Sequence, residues 1–472
     1  MKRKTKIICT IGPATKKEET IIALIEKGMN VARLNFSHGT ESEHEELINN
    51  IRSAALSTGK EIPIIGDLGG PKVRVGKLLE NLILKQGEII VAIPEGKNAE
   101  GQKTLPVNYE HLAKDVKIGD RLLVDDGLIK LEIINIEGDR IFSRVIDGGK
   151  VSSRKGVNLP DSSLSIKCLT AKDRDDIEFA LRHKLDFLAL SFVRTSNDIR
   201  ELREYLSSKN SAIPIIAKIE KPEAIREIDD IIDTTDLVMV ARGDLGVEMS
   251  PYEVPILQKE IIRKCLRYNT PVITATQMLE SMIHNPRSTR AEASDIANAV
   301  FDGTDTVMLS GETSIGKYPT AAVETMHSIL LRAEQTDYII SGLFDDKKIV
   351  ENTQFALNLS KAACRIAEET GASLILAMTK SGRTARFLSR YRAKTPIIAF
   401  SPYKSTVISL KLCWGVESVL IDSFSYTDEN MKQAREYALN NRLTEKGNII
   451  LYIAGDPILE TKEINMIKIE RI

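Results

Sequence analysis

Residues 213–220 read IPIIAKIE, and this apolar run carries two charged side chains at its end. A continuous apolar run of this length is typical of a parallel strand that is buried on both faces. Lys218 and Glu220 are two residues apart, so on a strand both project to the same side near its C-terminal end. The pair indicates either a buried structural ion pair or a lysine that faces a phosphoryl group beside a metal-binding acid.

A second run of the same kind, residues 236–243 (DLVMVARG), leads directly to Asp244. If both strands belong to one parallel sheet, their carboxyl ends lie on the same edge. Glu220 and Asp244 then offer acidic oxygens to one place, which is a ligand set that Mg²⁺ uses. This second strand favours the functional interpretation of the lysine.

Strand and helix patterns alternate along most of the chain. The predicted strands are residues 6–12, 30–37, 62–68, 185–193, 213–220, 236–243, 271–276 and 305–311. Eight strand–helix units over about 240 residues match the size of a (β/α)8 TIM barrel, which keeps its site at the C-terminal strand ends. A doubly wound open sheet is the alternative that the pattern leaves open.

Two further units interrupt and follow this barrel. Residues 72–163 hold short alternating runs broken by glycines, which predicts a small inserted β-barrel. Beyond residue 338, a helix over 352–370 and strands at 373–379, 396–401, 416–421 and 448–455 predict a three-layer α/β domain. The predicted domains are the barrel (1–71 and 164–338), the insert (72–163) and a C-terminal domain (339–472).

Composition excludes several classes of function. Lys and Arg number 65 against 66 Asp and Glu, a balance that does not suit an electrostatic binder of nucleic acid or membrane. The chain has neither a long apolar run nor a signal segment, so we expect a soluble, cytoplasmic protein. Its five cysteines form no C-x-x-C pair and predict neither a disulfide framework nor a zinc site.

Polar side chains also follow other predicted strands. Arg33, Asn35 and Ser37 share one face of the second strand, with His38 in the turn after it. Arginine suits phosphate oxygens, and the Asn and Ser oxygens suit a cation. Thr276 follows the seventh strand, where a hydroxyl either relays a proton or satisfies a helix end.

Three shorter segments each leave two interpretations open. Asp67, a Gly–Gly pair, Lys72 and Arg74 suit the hinge of a lid that closes on a polyphosphate, although Gly–Gly also forms ordinary turns. Lys155 in the insert is either a phosphate contact or part of a solvated charge cluster. Residues 379–385 (TKSGRTA) precede a helix and form either an anion pocket or an ordinary strand–helix turn.

These motifs together resemble the pyruvate kinase family over almost the whole chain. The matching segments, in the family's order and spacing, are MNVARLNFSHGT, GDLGGPKVR, RKGVNLP, IIAKIEKPEA, MVARGDLGVE, ITATQMLESM and TKSGRTA. The resemblance implies a (β/α)8 barrel with a β-domain inserted after the third strand and a C-terminal α/β domain. It also implies an enzyme, usually homotetrameric, that transfers the phosphoryl group of phosphoenolpyruvate to ADP with Mg²⁺ or Mn²⁺.

The resemblance implies a role for each matched position. Lys218 would neutralise the phosphoryl group and the enolate, Arg33 would bind the phosphoryl group, and Glu220 and Asp244 would hold the metal. Gly243, Asp244 and Thr276 would line the pocket for the substrate carboxylate, with Thr276 near the path of the proton that reaches the enolate. The implied nucleotide contacts are Asn35, His38, Arg74 and Lys155.

The chain departs from the family pattern at the third strand. Many members read Asp-Thr-Lys-Gly-Pro-Glu there and bind potassium through residues that correspond to Asn35, Ser37, Asp67 and Leu68. Here Leu68 lacks the hydroxyl, and Lys72 replaces the glutamate. A fixed ammonium supplies positive charge and opposes cation binding at short range. We therefore expect an enzyme that does not require potassium, as the Lys-bearing members of the family do not.

A second departure lies near the C-terminal end. The effector pocket of regulated relatives resembles a segment whose candidate phosphate contacts are Thr379, Ser381, Arg383 and Thr384. Their closing loop, rich in Trp, Arg and Gly, is replaced here by residues 455–465, in which Asp456 and Glu460 would repel a second phosphate. We expect that fructose 1,6-bisphosphate is not a strong activator, while a mono-phosphate effector stays open.

The sequence leaves two other classes of function open. A lyase or aldolase on a similar barrel also holds an enolate with acidic metal ligands, but needs neither the insert nor the basic residues at Lys155. A binding or scaffold protein on an inactive barrel predicts the loss of residues such as Lys218, Glu220, Asp244 or Arg33, and all four are present.

Overall fold

The computed structural model describes residues 3–97, 102–339, 354–424, 427–455 and 464–472. The chain opens with strand–helix alternation, because apolar residues at helical spacing separate short β-branched runs. The first elements are β1 (Lys6–Thr10), α1 (Glu18–Lys27), β2 (Val31–Asn35), α2 (Glu41–Thr58) and β3 (Ile64–Asp67).

The insert after β3 is built almost entirely from short strands. Its elements are β4 (Leu82–Leu84), β5 (Ile89–Pro94), β6 (Thr104–Val107), α3 (Leu112–Asp115), β7 (Arg121–Val124), β8 (Ile129–Glu137), β9 (Arg140–Asp147), β10 (Gly149–Val151) and β11 (Val157–Asn158). Six of them form a sheet in the order β11-β7-β8-β9-β5-β6. Bridges from Arg74 to Gly156 and from Val75 to Val107 join its two edges through the hinge segment, so the sheet curls into a small barrel.

Strand–helix alternation resumes after the insert. Thr170 and Asp173 form a capping box, with both of its hydrogen bonds, at the start of α4. The elements are α4 (Ala171–Arg182), β12 (Phe187–Leu190), α5 (Ser196–Ser208), β13 (Ile215–Ile219), α6 (Pro222–Arg226), α7 (Ile228–Thr234), β14 (Leu237–Ala241), α8 (Arg242–Glu248), α9 (Val254–Tyr268), β15 (Val272–Ala275), α10 (Arg290–Asp302), β16 (Thr306–Leu309), α11 (Gly311–Ser314) and α12 (Pro319–Ala333).

Eight parallel strands close into one barrel in the order β1-β16-β15-β14-β13-β12-β3-β2, which confirms the predicted (β/α)8 architecture. All eight carboxyl ends therefore meet on one rim. The predicted strand over 236–243 was wrong at its end, because β14 stops at Ala241 and Asp244 lies in the first turn of α8. The buried Arg242 guanidinium fixes this turn by donating to the Thr276 carbonyl (2.7 Å) and to Asp295 (2.7 Å).

The C-terminal unit has three layers, as predicted. Its elements are α13 (Gln354–Glu369), β17 (Leu374–Met378), α14 (Arg383–Arg390), β18 (Ile397–Ser401), α15 (Lys404–Ser409), β19 (Val416–Leu420), α16 (Thr427–Asn440), β20 (Ile449–Ala454) and β21 (Met466–Arg471). The sheet order is β19-β18-β17-β20-β21, with α13 and α14 packed on one face and α16 on the other. Among the strands that the structure describes in this unit, β21 was not predicted, because it is an antiparallel edge strand whose alternate polar side chains dilute the apolar signal.

This unit packs against the rim at the N-terminal ends of the barrel strands. Ile408 and Leu412 join the cluster of side chains that fills the barrel interior, and the Thr306 hydroxyl donates to the Leu412 carbonyl at 2.9 Å. An almost fully buried ion pair, Arg392 to Asp305 at 2.9 Å, lies beside them. The C-terminal unit thus closes one end of the barrel and leaves the opposite rim open.

No helix within the described ranges is both long enough and apolar enough to cross a membrane. The domain boundaries given above stay predictions, and the last of them adjoins residues 340–353, which lie outside the described ranges.

Replacing Leu412 with alanine tests the contact between the two units. Leu412 is fully buried, so we expect Leu412→Ala to cost about 2–5 kcal/mol in stability through lost packing and the cavity that remains. The same change at Leu420, which is 52% exposed, is the matched control and should have little effect. Urea unfolding measures both. Equal small effects would show that Leu412 does not hold the units together.

Candidate active site

The open rim of the barrel surrounds a cavity of about 890 Å³. Strand ends from all around the barrel contribute to it, as a parallel barrel requires. Most of the predicted site residues line this one cavity: Arg33, Asn35, Ser37, His38, Asp67, Lys72, Lys218, Glu220, Asp244 and Thr276. The sequence had placed them on five different strands or strand ends.

Lys218 lies at the centre of the cluster. Its Nζ is 2.9 Å from Glu220 Oε1 and 3.2 Å from Asp67 Oδ1, and it donates to Ser191 Oγ at 2.6 Å. The side chain is 11% exposed, so the ammonium is held by oxygens with little access to bulk water. A buried charge of this kind is tolerated only with such partners.

Arg33 continues the row of charges through Asp67. Its Nε donates to Asp67 Oδ2 at 2.7 Å, while Nη1 donates to Thr10 Oγ1 at 2.9 Å. The Asp67 side chain is 1% exposed and lies between Arg33 and Lys218. One buried carboxylate thus holds two cations side by side at the floor of the cavity.

The ionisation of these groups follows from burial and neighbouring charge. Burial alone would lower the pKa of the Lys218 ammonium, but the Asp67 and Glu220 carboxylates raise it more, so the group stays protonated. Burial raises the pKa of Asp67, and the charges of Lys218 and Arg33 outweigh it, so the net shift is downward. The pKa of Glu220 is raised overall. Burial and the nearby Asp244 carboxylate raise it, and the positive charge of Lys218 only partly opposes them.

Glu220 and Asp244 fit a divalent cation. Glu220 is fully buried, its Oε2 accepts from the Phe192 N–H at 2.7 Å, and its Oε1 pairs with the Lys218 ammonium at 2.9 Å. Over the ranges described, no group of three or more His, Cys, Asp or Glu side chains is arranged around a metal position. Two carboxylates leave the other positions to water and phosphate oxygens, which is how proteins usually bind Mg²⁺.

Thr276 and Gly243 form a second unit at the same rim. The Gly243 N–H donates to Thr276 Oγ1 at 2.7 Å. Thr276 and Gln277 both have positive φ, 67° and 53°, a conformation that costs energy for a β-branched residue and marks functional sites. Arg242 holds this backbone in place through its bond to the Thr276 carbonyl.

Some predicted residues lie apart from the cavity lining. The Leu68 carbonyl accepts from Ser191 Oγ at 2.8 Å. Arg74 lies in the hinge. The pKa of His38 is lowered mainly by burial, and the positive charges of Lys72 and then Arg74 lower it further. Lys155 forms an ion pair with Asp125 at 2.7 Å within the insert. The nucleotide roles of Arg74 and Lys155 stay predictions.

Sequence reasoning did not single out three residues that shape the site. Ser191 accepts from Lys218, Phe192 binds Glu220 through its N–H and has φ 57°, and Arg242 anchors the Thr276 turn. Ser191 directly follows the fourth strand, so the strand-end rule applied elsewhere identifies it. Phe192 acts through its backbone N–H, and the Arg242 side chain supports a distant turn, so neither follows from a local sequence pattern.

The candidate effector segment lies at the end of β17. Thr379 and Thr384 are largely buried, Ser381 is exposed, and the Gly382 N–H donates to Thr379 Oγ1 at 2.9 Å. The segment 455–465 falls mostly outside the described residues, which resume at Ile464, so the expectation about Asp456 and Glu460 lies outside them. The effector role of this segment stays a prediction.

Comparison with known proteins agrees with this architecture over both units. A family model described as the pyruvate kinase barrel domain matches residues 2–323, and one described as the pyruvate kinase alpha/beta domain matches residues 358–470. The chain belongs to the pyruvate kinase family. It is therefore an enzyme, a transferase of glycolysis, and the fold expected from the family likeness is confirmed.

Individual pyruvate kinases align along the full chain. That of Geobacillus stearothermophilus is 43% identical over 477 residues, covering 100% of this chain and 81% of the relative. That of Staphylococcus epidermidis is 42% identical over 474 residues, with 100% and 80% covered. A crystal structure of a pyruvate kinase from Cryptosporidium parvum superposes with a TM-score of 0.91 at 36% identity, covering 99% of this chain and 96% of that one.

Replacing Asp67 with asparagine tests the buried row of charges. The change leaves Arg33 and Lys218 adjacent without their shared carboxylate, so we expect a loss of about 3–5 kcal/mol at neutral pH. The folded-state pKa of Asp67 is lowered, so its contribution is present above the unfolded value of about 3.9 and is lost as pH falls through the lower folded value. The difference between wild type and Asp67→Asn should therefore shrink in acid.

Urea unfolding across a pH series measures this difference. The control is Asp337→Asn, which removes a carboxylate from an exposed ion pair with Lys394 and should change little at any pH. A constant difference between wild type and Asp67→Asn at all pH values would contradict the charge assignment.

Proposed function

We propose that this enzyme transfers the phosphoryl group of phosphoenolpyruvate to ADP, giving pyruvate and ATP, with Mg²⁺ or Mn²⁺ held by Glu220 and Asp244. The observation that carries the proposal is the convergence of Arg33, Lys218 and these two carboxylates on one cavity at the barrel rim. Phosphoryl transfer requires positioning and charge neutralisation more than covalent chemistry, and this set of charges supplies both.

Arg33 and Lys218 act on the migrating group. The bond between phosphorus and the enol oxygen breaks, and a bond to a terminal oxygen of ADP forms, while negative charge spreads over the phosphoryl oxygens. Arg33 presents a planar fork to those oxygens, and Lys218 presents a point charge to the phosphoryl group and to the enolate that remains. A divalent ion, when bound, would withdraw further charge from the same oxygens.

Gly243, Asp244 and Thr276 would orient the substrate carboxylate. The existing bond between the Gly243 N–H and the Thr276 hydroxyl fixes both groups before substrate arrives. Once the phosphoryl group has left, the enolate takes up a proton at carbon to give pyruvate. In this proposal Thr276 lies near the path of that proton, a role for which its strained, Arg242-supported backbone provides rigid placement.

The nucleotide phosphates would be met by Asn35, His38, Arg74 and Lys155. Asn35 and His38 line the cavity, and burial with the nearby charges of Lys72 and Arg74 lowers the pKa of His38. His38 is therefore neutral at pH 7 and binds through hydrogen bonding. Arg74 and Lys155 belong to the hinge and the insert, so they would add cationic charge as the insert closes and excludes water.

Replacing Lys218 with methionine tests the central role. Methionine keeps about the same length and removes the charge, so we expect activity in a coupled assay with phosphoenolpyruvate, ADP and Mg²⁺ to fall on the order of 10³-fold or more. Lys209→Met is the control, because Lys209 forms an exposed ion pair with Glu178 away from the cavity. Wild-type protein without ADP-dependent pyruvate release, or a fully active Lys218→Met variant, would refute the proposal.

Lys72 would take the place of a potassium ion. It lines the cavity with Asn35, Ser37 and Asp67. The oxygens that would otherwise bind the ion are already engaged: Asn35 Oδ1 accepts from the Ser37 N–H at 3.1 Å, and Asp67 holds Arg33 and Lys218. These contacts and the fixed ammonium support an enzyme that does not depend on potassium.

Activity in a sodium-free tetramethylammonium buffer containing Mg²⁺ tests this point. We expect the wild type to be almost as active there as with added potassium. Lys72→Glu should become dependent on potassium, since a carboxylate replaces the ammonium and attracts the ion. Large stimulation of the wild type by potassium would contradict the proposal.

We also propose a cytoplasmic homotetramer. All five cysteines are free and buried, which suits a reducing compartment. Tyr252, two residues before α9, and Ile256, in its first turn, are 81% and 58% exposed, and contiguous apolar surface at this point would suit a contact with another subunit.

A further inference from the structure

Glu248 joins three parts of the molecule through one buried carboxylate. Its Oε1 accepts from Lys221 Nζ at 2.6 Å and from Asn158 Nδ2 at 2.7 Å, and the residue is 3% exposed. Lys221 is the second residue after β13, Glu248 ends α8, and Asn158 ends β11 of the insert. Asn158 bonds directly to α8, whereas Tyr109 and Asp115 of the insert hydrogen-bond to Ser165, which lies just past the predicted boundary where the chain re-enters the barrel.

The insert touches α8 at a second point nearby. The turn between β7 and β8 has three consecutive residues with positive φ, Asp125, Asp126 and Gly127. A Cβ placed on Gly127 would lie 3.8 Å from Val247 Cγ1, so this turn approaches the last turn of α8. Asp126, Val157 and Asn158 face Lys221 and Asp244 across a cleft of about 90 Å³ between insert and barrel. The insert therefore contacts the barrel at α8 through both Asn158 and the turn between β7 and β8.

Helix α8 also carries part of the candidate active site. Asp244 and Glu248 are four residues apart, which places them on the same face of the helix. Lys221 is adjacent in sequence to Glu220, another candidate metal ligand. Glu248 thus connects the insert directly to the two elements that present both carboxylates.

We propose that Asn158, Glu248 and Lys221 form a latch that fastens the insert to the barrel and sets how well it encloses the nucleotide. The inference rests on the proposed function, since it assumes that the insert closes over the substrates. Glu248 is a positioning residue here, acting through the insert and α8. Phosphoenolpyruvate would be held by barrel residues and ADP partly by the insert, so the latch affects ADP more strongly.

The substitution Asn158→Asp tests the latch with almost no change in shape. It places a carboxylate against the Glu248 carboxylate, so the contact becomes repulsive. We expect KM for ADP to rise on the order of tenfold, with a smaller change in KM for phosphoenolpyruvate and in kcat. Hydrogen–deuterium exchange should become faster in residues 121–131 and 242–249, where the insert meets α8.

Two further variants separate a latch from general damage. Asn158→Asp combined with Glu248→Gln restores a donor–acceptor pair with its direction reversed and leaves one carboxylate for Lys221, so both KM for ADP and exchange should return to within about threefold of wild type. Asn135→Asp is the matched control, because the Asn135 amide donates to Glu137 at 2.8 Å on the exposed side of the insert. It should change neither readout.

The exchange measurement uses the full chain without substrates, so it tests the latch even if the proposed reaction is wrong. Failure of the wild type to release pyruvate would refute the proposed function and leave this measurement intact. Unchanged exchange in Asn158→Asp, or a double variant no better than the single one, would overturn the latch.

Discussion

The structure depends on one buried row of alternating charges, in which Arg33, Asp67, Lys218 and Glu220 follow one another at contacts of 2.7, 3.2 and 2.9 Å. Four charges in so little solvent are stable only because each cation has a carboxylate on at least one side. They come from β2, β3 and the end of β13, which lie close together in one parallel sheet with their carboxyl ends on the same rim. The barrel is therefore the means by which these charges are held at fixed distances before a substrate arrives.

The C-terminal unit and the insert pack at opposite ends of this barrel. At the N-terminal rim, Ile408 and Leu412 of the C-terminal unit complete the interior packing, and the Arg392 to Asp305 ion pair fixes the contact. At the C-terminal rim the insert rests on α8 and leaves a cavity between them. In the proposed reaction, closure of the insert over this rim would exclude water from the phosphoryl donor.

Much of this arrangement was predictable because buried parallel strands leave strong signals. Apolar runs ending in Lys218, Glu220 and Asp67 identified the strands, and the barrel rule then predicted correctly that these residues lie at one rim. Asp244 was expected at this rim, where it lies, but the strand before it was predicted to be too long. Apolar content does not show that the chain turns into a helix after Ala241. Phe192 acts through its backbone N–H, Arg242 supports a neighbouring turn from outside the cavity lining, and β21 is a half-exposed edge strand. Their signals are weak in a single sequence.

The central claim is that the acidic end of this row holds a divalent ion in contact with the substrate. A crystal structure with Mn²⁺ and oxalate, a stable analogue of the enolate, tests it most directly through the anomalous signal of the metal. The account predicts one Mn²⁺ at about 2.1 Å from carboxylate oxygens of both Glu220 and Asp244 and from oxalate, with Lys218 within hydrogen-bonding distance of the analogue. Mn²⁺ bound elsewhere, or contacting neither carboxylate, would contradict it.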